Sequence, residues 1–307
     1  MNIAQGAEKK ASFSDKFVQF LQRNRIFIFI FTLLIALGLV VFFVWSSVHE
    51  QIEKASTQKA EELQVKYAQW YNERDTEKRT RYKAELDAFI EKVIKEYPNT
   101  MAGQRALITR FYLNREQALF VKQFTESGDK EKTKEDKSPY WLNMVNDLLM
   151  AVKSNPESYL AEISLYNAAV VLEEIEYYQK QESDSLKSVT LSKLTELIPK
   201  EYLAGYQYDL EQIHDLALAL YTYFSLQYKD AVDYPHVLFS ITRLLEAKAD
   251  ELKGKGENEK VKEIISRIKD IYLELETDFK SNDWTKIAKN RSIMLKIKEG
   301  GEGEQEE

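Results

Sequence analysis

The sequence predicts an all-α protein: one N-terminal transmembrane helix followed by a domain of degenerate helical hairpins. Three observations carry this. Gly (10) and Pro (5) are scarce in 307 residues, fewer than the turns of a sheet protein need, while Leu, Ala, Glu and Lys abound. Ile26 to Trp45 runs without a single charge. Beyond it, apolar residues recur at spacings of three and four, the helical period.

The uncharged run comes first. At about 1.5 Å per residue, a helix over residues 26–45 spans about 30 Å, the thickness of the hydrocarbon layer. A cleaved signal peptide has an apolar region of roughly 7 to 15 residues with small residues before the cut. This run is longer, and Trp45 puts an indole in the cleavage region, so it reads as an uncleaved anchor held in the bilayer by Ile26, Phe31, Leu37, Val41 and Trp45. Before it stand Lys9, Lys10, Lys16, Arg23 and Arg25 against Glu8 and Asp15. After it, Lys54, Lys59 and Lys66 face Glu50, Glu53, Glu61 and Glu62. That asymmetry keeps residues 1–25 in the cytoplasm and exports everything from about Ser46. Phe13, Phe17, Phe20 and Leu21 make the cytoplasmic segment either an amphipathic helix on the inner leaflet or an extension of the span.

The exported part divides into a polar linker helix (46–81), a helical domain (82–298) and a disordered acidic tail (299–307). Val48, Ile52, Leu63, Tyr67 and Trp70 step along a charged helix; "NERDTEKRTR", 72–81, has no apolar face and is a solvated stalk or a break. Leu86, Phe89, Ile90 and Val93 lead up to Tyr97-Pro98. Later helices are expected over 140–152, 159–178, 208–228, 237–252, 261–279 and 284–297. Thr125 to Pro139, with mixed charge, reads as a flexible insertion. Ser154, Asp233 and Ser281 are candidate N-caps.

A tetratricopeptide unit is about 34 residues, two helices with a Pro that ends the second. Pro98 places Leu86, Ile90 and Val93 on such a second helix, and Pro156 places Met144, Leu148 and Ala151 there. Leu107 and Phe111 fit the next first helix. Ile108 and Tyr166 stand where Gly or Ala is expected, and Pro98, Pro156 and Pro235 are farther apart than one unit. A degenerate repeat stack and a generic bundle both accommodate this pattern.

A charged stub, one span, a polar linker helix and strings such as "EYPNTMAGQRAL" and "DFKSNDWTKIAKNRSIM" resemble the membrane-anchored tetratricopeptide-like proteins of the bacterial envelope, in particular the ancillary SecYEG translocon subunit family. The resemblance implies a bacterial inner-membrane protein with a periplasmic domain that contacts the translocon, chaperones or emerging clients.

Chemistry is hard to find. Cys is absent, which excludes disulfides, thiolate catalysis and Cys-based metal sites. His49, His214 and His236 lack metal-ligand spacing. There is no Gly-rich phosphate loop or serine elbow, and Glu61-Glu62 and Glu173-Glu174 read as solvated helix faces. Mixed charge with a net of -7 argues against nucleic acid. No enzyme activity or cofactor is expected. The 18 Tyr and 15 Phe pack between helices or line a binding groove. The expectation is a protein-protein interaction scaffold on the extracytoplasmic face; the alternative is a coiled-coil or bundle component of an envelope or division assembly.

Overall fold

A computed structural model describes residues 20–125, 136–181 and 186–303. Among them every regular element is a helix: α1 (Arg25–Asn72), α2 (Thr76–Glu96), α3 (Met101–Thr125), α4 (Ser138–Ser154), α5 (Tyr159–Gln181), α6 (Leu191–Leu197), α7 (Lys200–Leu203), α8 (Ile213–Gln227), α9 (Tyr234–Gly254), α10 (Asn258–Asp278) and α11 (Asp283–Gly303). The chain divides into two units, Met1–Ala55 and Ser56–Glu307.

In the first unit α1 is the one helix among the described residues long and apolar enough to cross a membrane. From Phe29 to Val44 its Ile, Leu, Val and Phe side chains are exposed all round, a distribution that suits lipid and not water. Phe20 and Leu21 are also exposed and lie in a short helical turn before α1. Phe13 and Phe17 lie outside the described residues.

The second unit begins within α1. Ser56, Ala60, Leu63 and Trp70 are buried at spacings of four, three and seven, one face of a helix. Ala60, Leu63 and Trp70 share a small core with Leu86, Ile90 and Val93 of α2 and Ala102, Ala106 and Leu113 of α3. The second unit therefore takes in part of the expected linker, whose residues 56–70 carry core side chains. The charge-rich stretch supplies the break: α1 ends at Asn72, and Asp75 caps α2 by accepting from the Lys78 N–H at 2.9 Å. A larger core runs from Phe111 in α3 to Ala288 in α11. Phe111 belongs to it, alongside Trp141, Met144 and Leu165, and not to the Leu86 cluster.

Apart from the short α6 and α7, each helix from α2 onward packs against the next, and α3 with α5 and α9 with α11 also touch. One kind of turn recurs. α2, α8 and α10 end on Tyr97, Tyr228 and Phe279, with φ/ψ of -131/49°, -123/55° and -124/38°, and each cap N–H donates to the carbonyl four residues back. α4 ends on Asn155 at -157/84°. Three residues beyond each cap, the N–H of Thr100, Ser158, Ala231 or Asn282 donates back to the cap carbonyl. Half-buried Tyr97, Tyr228 and Phe279 rings pack on the cores at these ends, so the chain leaves the helix without a left-handed residue. That is why so few glycines suffice. The turn after α9 is of the other kind, with Gly256 at φ 78°.

Helix starts follow from the same turn. Thr100 and Ser158, third after the cap, accept from the Gly103 and Ala161 N–H groups, and Asn282 accepts from Trp284. The expected caps Ser154 and Ser281 sit too early: Ser154 is the last residue of α4 and donates to the Ala151 carbonyl. Asp233 precedes α9 but makes no side-chain cap bond. Residues 208–212 are not helical, because Asp215 takes the Glu211 and Gln212 N–H groups and starts α8 at Ile213. α3 ends at Thr125 and α4 starts at Ser138, so most of the expected insertion lies outside the described residues. α11 runs to Gly303, into the expected tail; 304–307 also lie outside.

Candidate functional site

The helices that follow the recurring turn, α3, α5, α9 and α11, are cross-linked by a ladder of arginines and carboxylates. Arg115 of α3 pairs with Glu174 of α5, Arg243 of α9 with the adjacent Glu173 of α5, and Arg291 of α11 with Glu246 of α9 at 2.7 Å. Adjacent carboxylates on α5 thus reach opposite neighbours. Glu173 and Glu174 are not the solvated pair the sequence suggested: only 21% and 26% of their side chains is exposed, since each is taken up by a guanidinium on another helix. Because the arginine side of each pair is still a third or more exposed, the pairs contribute about 1 kcal/mol or less each. Their main effect is to fix which faces meet.

Aromatic groups fill the intervals. The Tyr221 hydroxyl donates to Glu173 at 3.0 Å, and Tyr272 donates to Glu246 at 2.8 Å. Tyr166 of α5 bonds His236 Nδ1 of α9 at 2.8 Å, and the His236 ring stacks on Trp284 of α11 at 3.8 Å and 5°. Burial pushes the Tyr166 phenol up to about 12 and the His236 imidazole down. Both are neutral near pH 7. Half-exposed guanidinium edges beside aromatic rings suit recognition of polypeptide, by hydrogen bonds and stacking.

Two further networks serve the fold. Arg110 of α3 holds Asp147 of α4 through two bonds, 3.0 and 2.6 Å, and also pairs with Glu91 of α2. Lys248, buried in α9, meets Asp215 at 3.2 Å and Glu251 at 3.3 Å, while the Tyr206 hydroxyl donates to Asp215 at 2.6 Å. Removing one partner of such a buried pair costs about 3 to 5 kcal/mol.

The anchor residues Ile26, Phe31, Leu37, Val41 and Trp45 all lie in α1, each more than half exposed, and Trp45 stacks on His49. The three histidines are not brought together, and among the described residues no group of three or more His, Asp or Glu could hold a metal ion. The ladder arginines were missed in sequence. A signal existed: Arg115, Arg243 and Arg291 each interrupt an apolar helical face, but their acids are 45 or more residues away.

Among the described residues the chain is thus all-helical, with one helix long and apolar enough to cross a membrane and a cross-linked, aromatic-rich helix face. No protein-family model, curated protein or solved structure matches it.

Proposed function

We propose that this protein is a single-pass, membrane-anchored scaffold that binds other proteins through the face formed by α3, α5, α9 and α11. The observation that carries the proposal is the recurrence of one turn at Tyr97, Asn155, Tyr228 and Phe279. Four like turns mark four helix pairs, α2/α3, α4/α5, α8/α9 and α10/α11, of tetratricopeptide-like kind, with the segment holding α6 and α7 inserted. In such a stack the helices after the turn lie side by side and present one continuous surface. The ladder between them supports that arrangement.

The basic excess before the span supports an N-terminus in the cytoplasm and a helical unit on the other side. With the resemblance to the ancillary translocon subunits, this gives the bacterial inner membrane and a periplasmic domain, assisting protein translocation or envelope chaperones without an enzymatic step of its own. Crosslinking in intact membranes, followed by identification of the captured proteins, tests the reading. Reproducible capture of translocon, chaperone or client proteins supports it; capture of the protein's own copies alone overturns it in favour of a structural assembly component.

A further inference from the structure

His214, the second residue of α8, is held by α5. Its backbone N–H donates to Glu176 Oε2 at 2.7 Å, and its Nδ1 lies 2.9 and 3.1 Å from the two Glu176 oxygens. Its Nε2 is enclosed and has no hydrogen-bond partner among the described residues; Asp215 Oδ1 stands 3.9 Å away. A neutral ring has one N–H to give. Given to Glu176, it leaves Nε2 as a bare acceptor facing a carboxylate. Only the imidazolium directs a proton toward both acids. The charged groups around it are Glu176 and Lys180 from α5, Glu211 from the preceding segment, Asp215 from α8, and Lys248 and Glu251 from α9. An open groove of about 330 Å³ adjoins this corner, lined by Glu176, Gln179, Lys180, Val189, Gln212 and Ile213.

We propose that His214 is a proton-operated latch: charged, its ring fastens the first turn of α8 to α5 and fixes the wall of the groove; neutral, it lets that corner open. The bond to Glu176 raises the His214 pKa against the opposing effect of burial. A raised pKa means the fastening is complete below the ordinary histidine value, about 6.5, and is lost as pH rises through the folded-state value.

The test uses the full chain in detergent micelles or nanodiscs. Ring resonances of His214 are followed through pH, together with hydrogen exchange at Gln212 to Asp215 corrected for the intrinsic pH dependence. The ring should titrate above the ordinary value, and protection should fall by about tenfold for each unit of that elevation. His214→Gln, which can still donate to Glu176, should remove the pH dependence. A ring titrating at or below the ordinary value, protection unchanged with pH, or a pH dependence retained in His214→Gln would each overturn the latch. The wild-type measurements decide the matter even where the variant does not fold.

Discussion

Ser158 Oγ donates to the side-chain carbonyl of wholly buried Gln104 at 2.9 Å, so the turn after α4 is fastened to the start of α3. The Gln104 amide in turn donates to the Ala151 and Asn155 carbonyls at 2.9 and 3.0 Å, and the Tyr228 hydroxyl reaches the Pro156 carbonyl at 2.8 Å. Three successive turns are thereby tied together along one edge.

Replacing Gln104 with Leu fills the space but removes three buried hydrogen bonds, leaving the Ala151 carbonyl with Ser154 Oγ alone and the Asn155 carbonyl and Ser158 hydroxyl with their bonds inside the turn. Losing a hydrogen bond whose partner keeps another costs about 0.5 to 1.5 kcal/mol. Chemical denaturation should show a loss of at least that size. A change within about 0.5 kcal/mol, the range of an ordinary surface substitution, would show that water replaces these bonds freely.

Gly103→Ala should destabilise, although Ala is the better helix former by about 0.8 to 1 kcal/mol. A Cβ at residue 103 would stand 2.2 Å from the Tyr97 carbonyl oxygen and 3.0 Å from that of Pro98, both backbone atoms with little freedom to move. A rise in thermal midpoint on this substitution would mean the turn relaxes without cost.

Much of this was readable in advance. The long apolar N-terminal helix, the helical class and the Tyr97-Pro98 and Asn155-Pro156 joints follow from apolar period and proline placement. Ile268, Tyr272 and Leu275 repeat the second-helix spacing before Phe279, but the turns at Tyr228 and Phe279 are not legible, because their shared property is a backbone conformation under an aromatic ring and no proline follows directly. The ladder was invisible for a different reason. Sequence reports that Glu173 and Glu174 are neighbours, but only the fold sends them to arginines on two different helices. Local rules also mis-set residues 208–212, where tyrosine spacing suggested helix but Asp215, buried with Lys248, draws the chain into a cap.

Phe111→Ala should cost about 3 to 5 kcal/mol, since its ring is fully buried in the larger core. Stacked pairs couple mainly to nearest neighbours, so hydrogen exchange should rise in α3, α4 and α5 while α10 and α11 keep their protection. Uniform loss of protection would instead indicate one cooperative bundle.

Acid should act partly through Glu176. Burial alone would raise its carboxyl, but the bonds from His214 and Lys180 hold it down at about 2. A depressed carboxylate stabilises fully above its ordinary value of about 4.5, and that contribution is lost as pH falls toward 2. Glu176→Gln should therefore flatten stability against pH in this window. An acid limb identical to wild type would place the loss elsewhere.

Topology is tested by fusion after Glu307. A reporter active only outside the cytoplasm should work there, as the Lys9 to Arg25 excess requires. A cytoplasmic reporter active at the same point would reverse the orientation.

The partner-binding face is tested most directly by photo-crosslinkers placed singly in intact membranes. Tyr112, Tyr177 and Ile287 are exposed on α3, α5 and α11, within one helical turn of the ladder residues Arg115, Glu173 and Arg291, whereas Met150 and Leu273 are exposed on α4 and α10. Adducts to other proteins should form from the first three positions and be sparse from the last two. Equal labelling from both sets, or labelling mainly from Met150 and Leu273, would contradict a binding surface on α3, α5, α9 and α11.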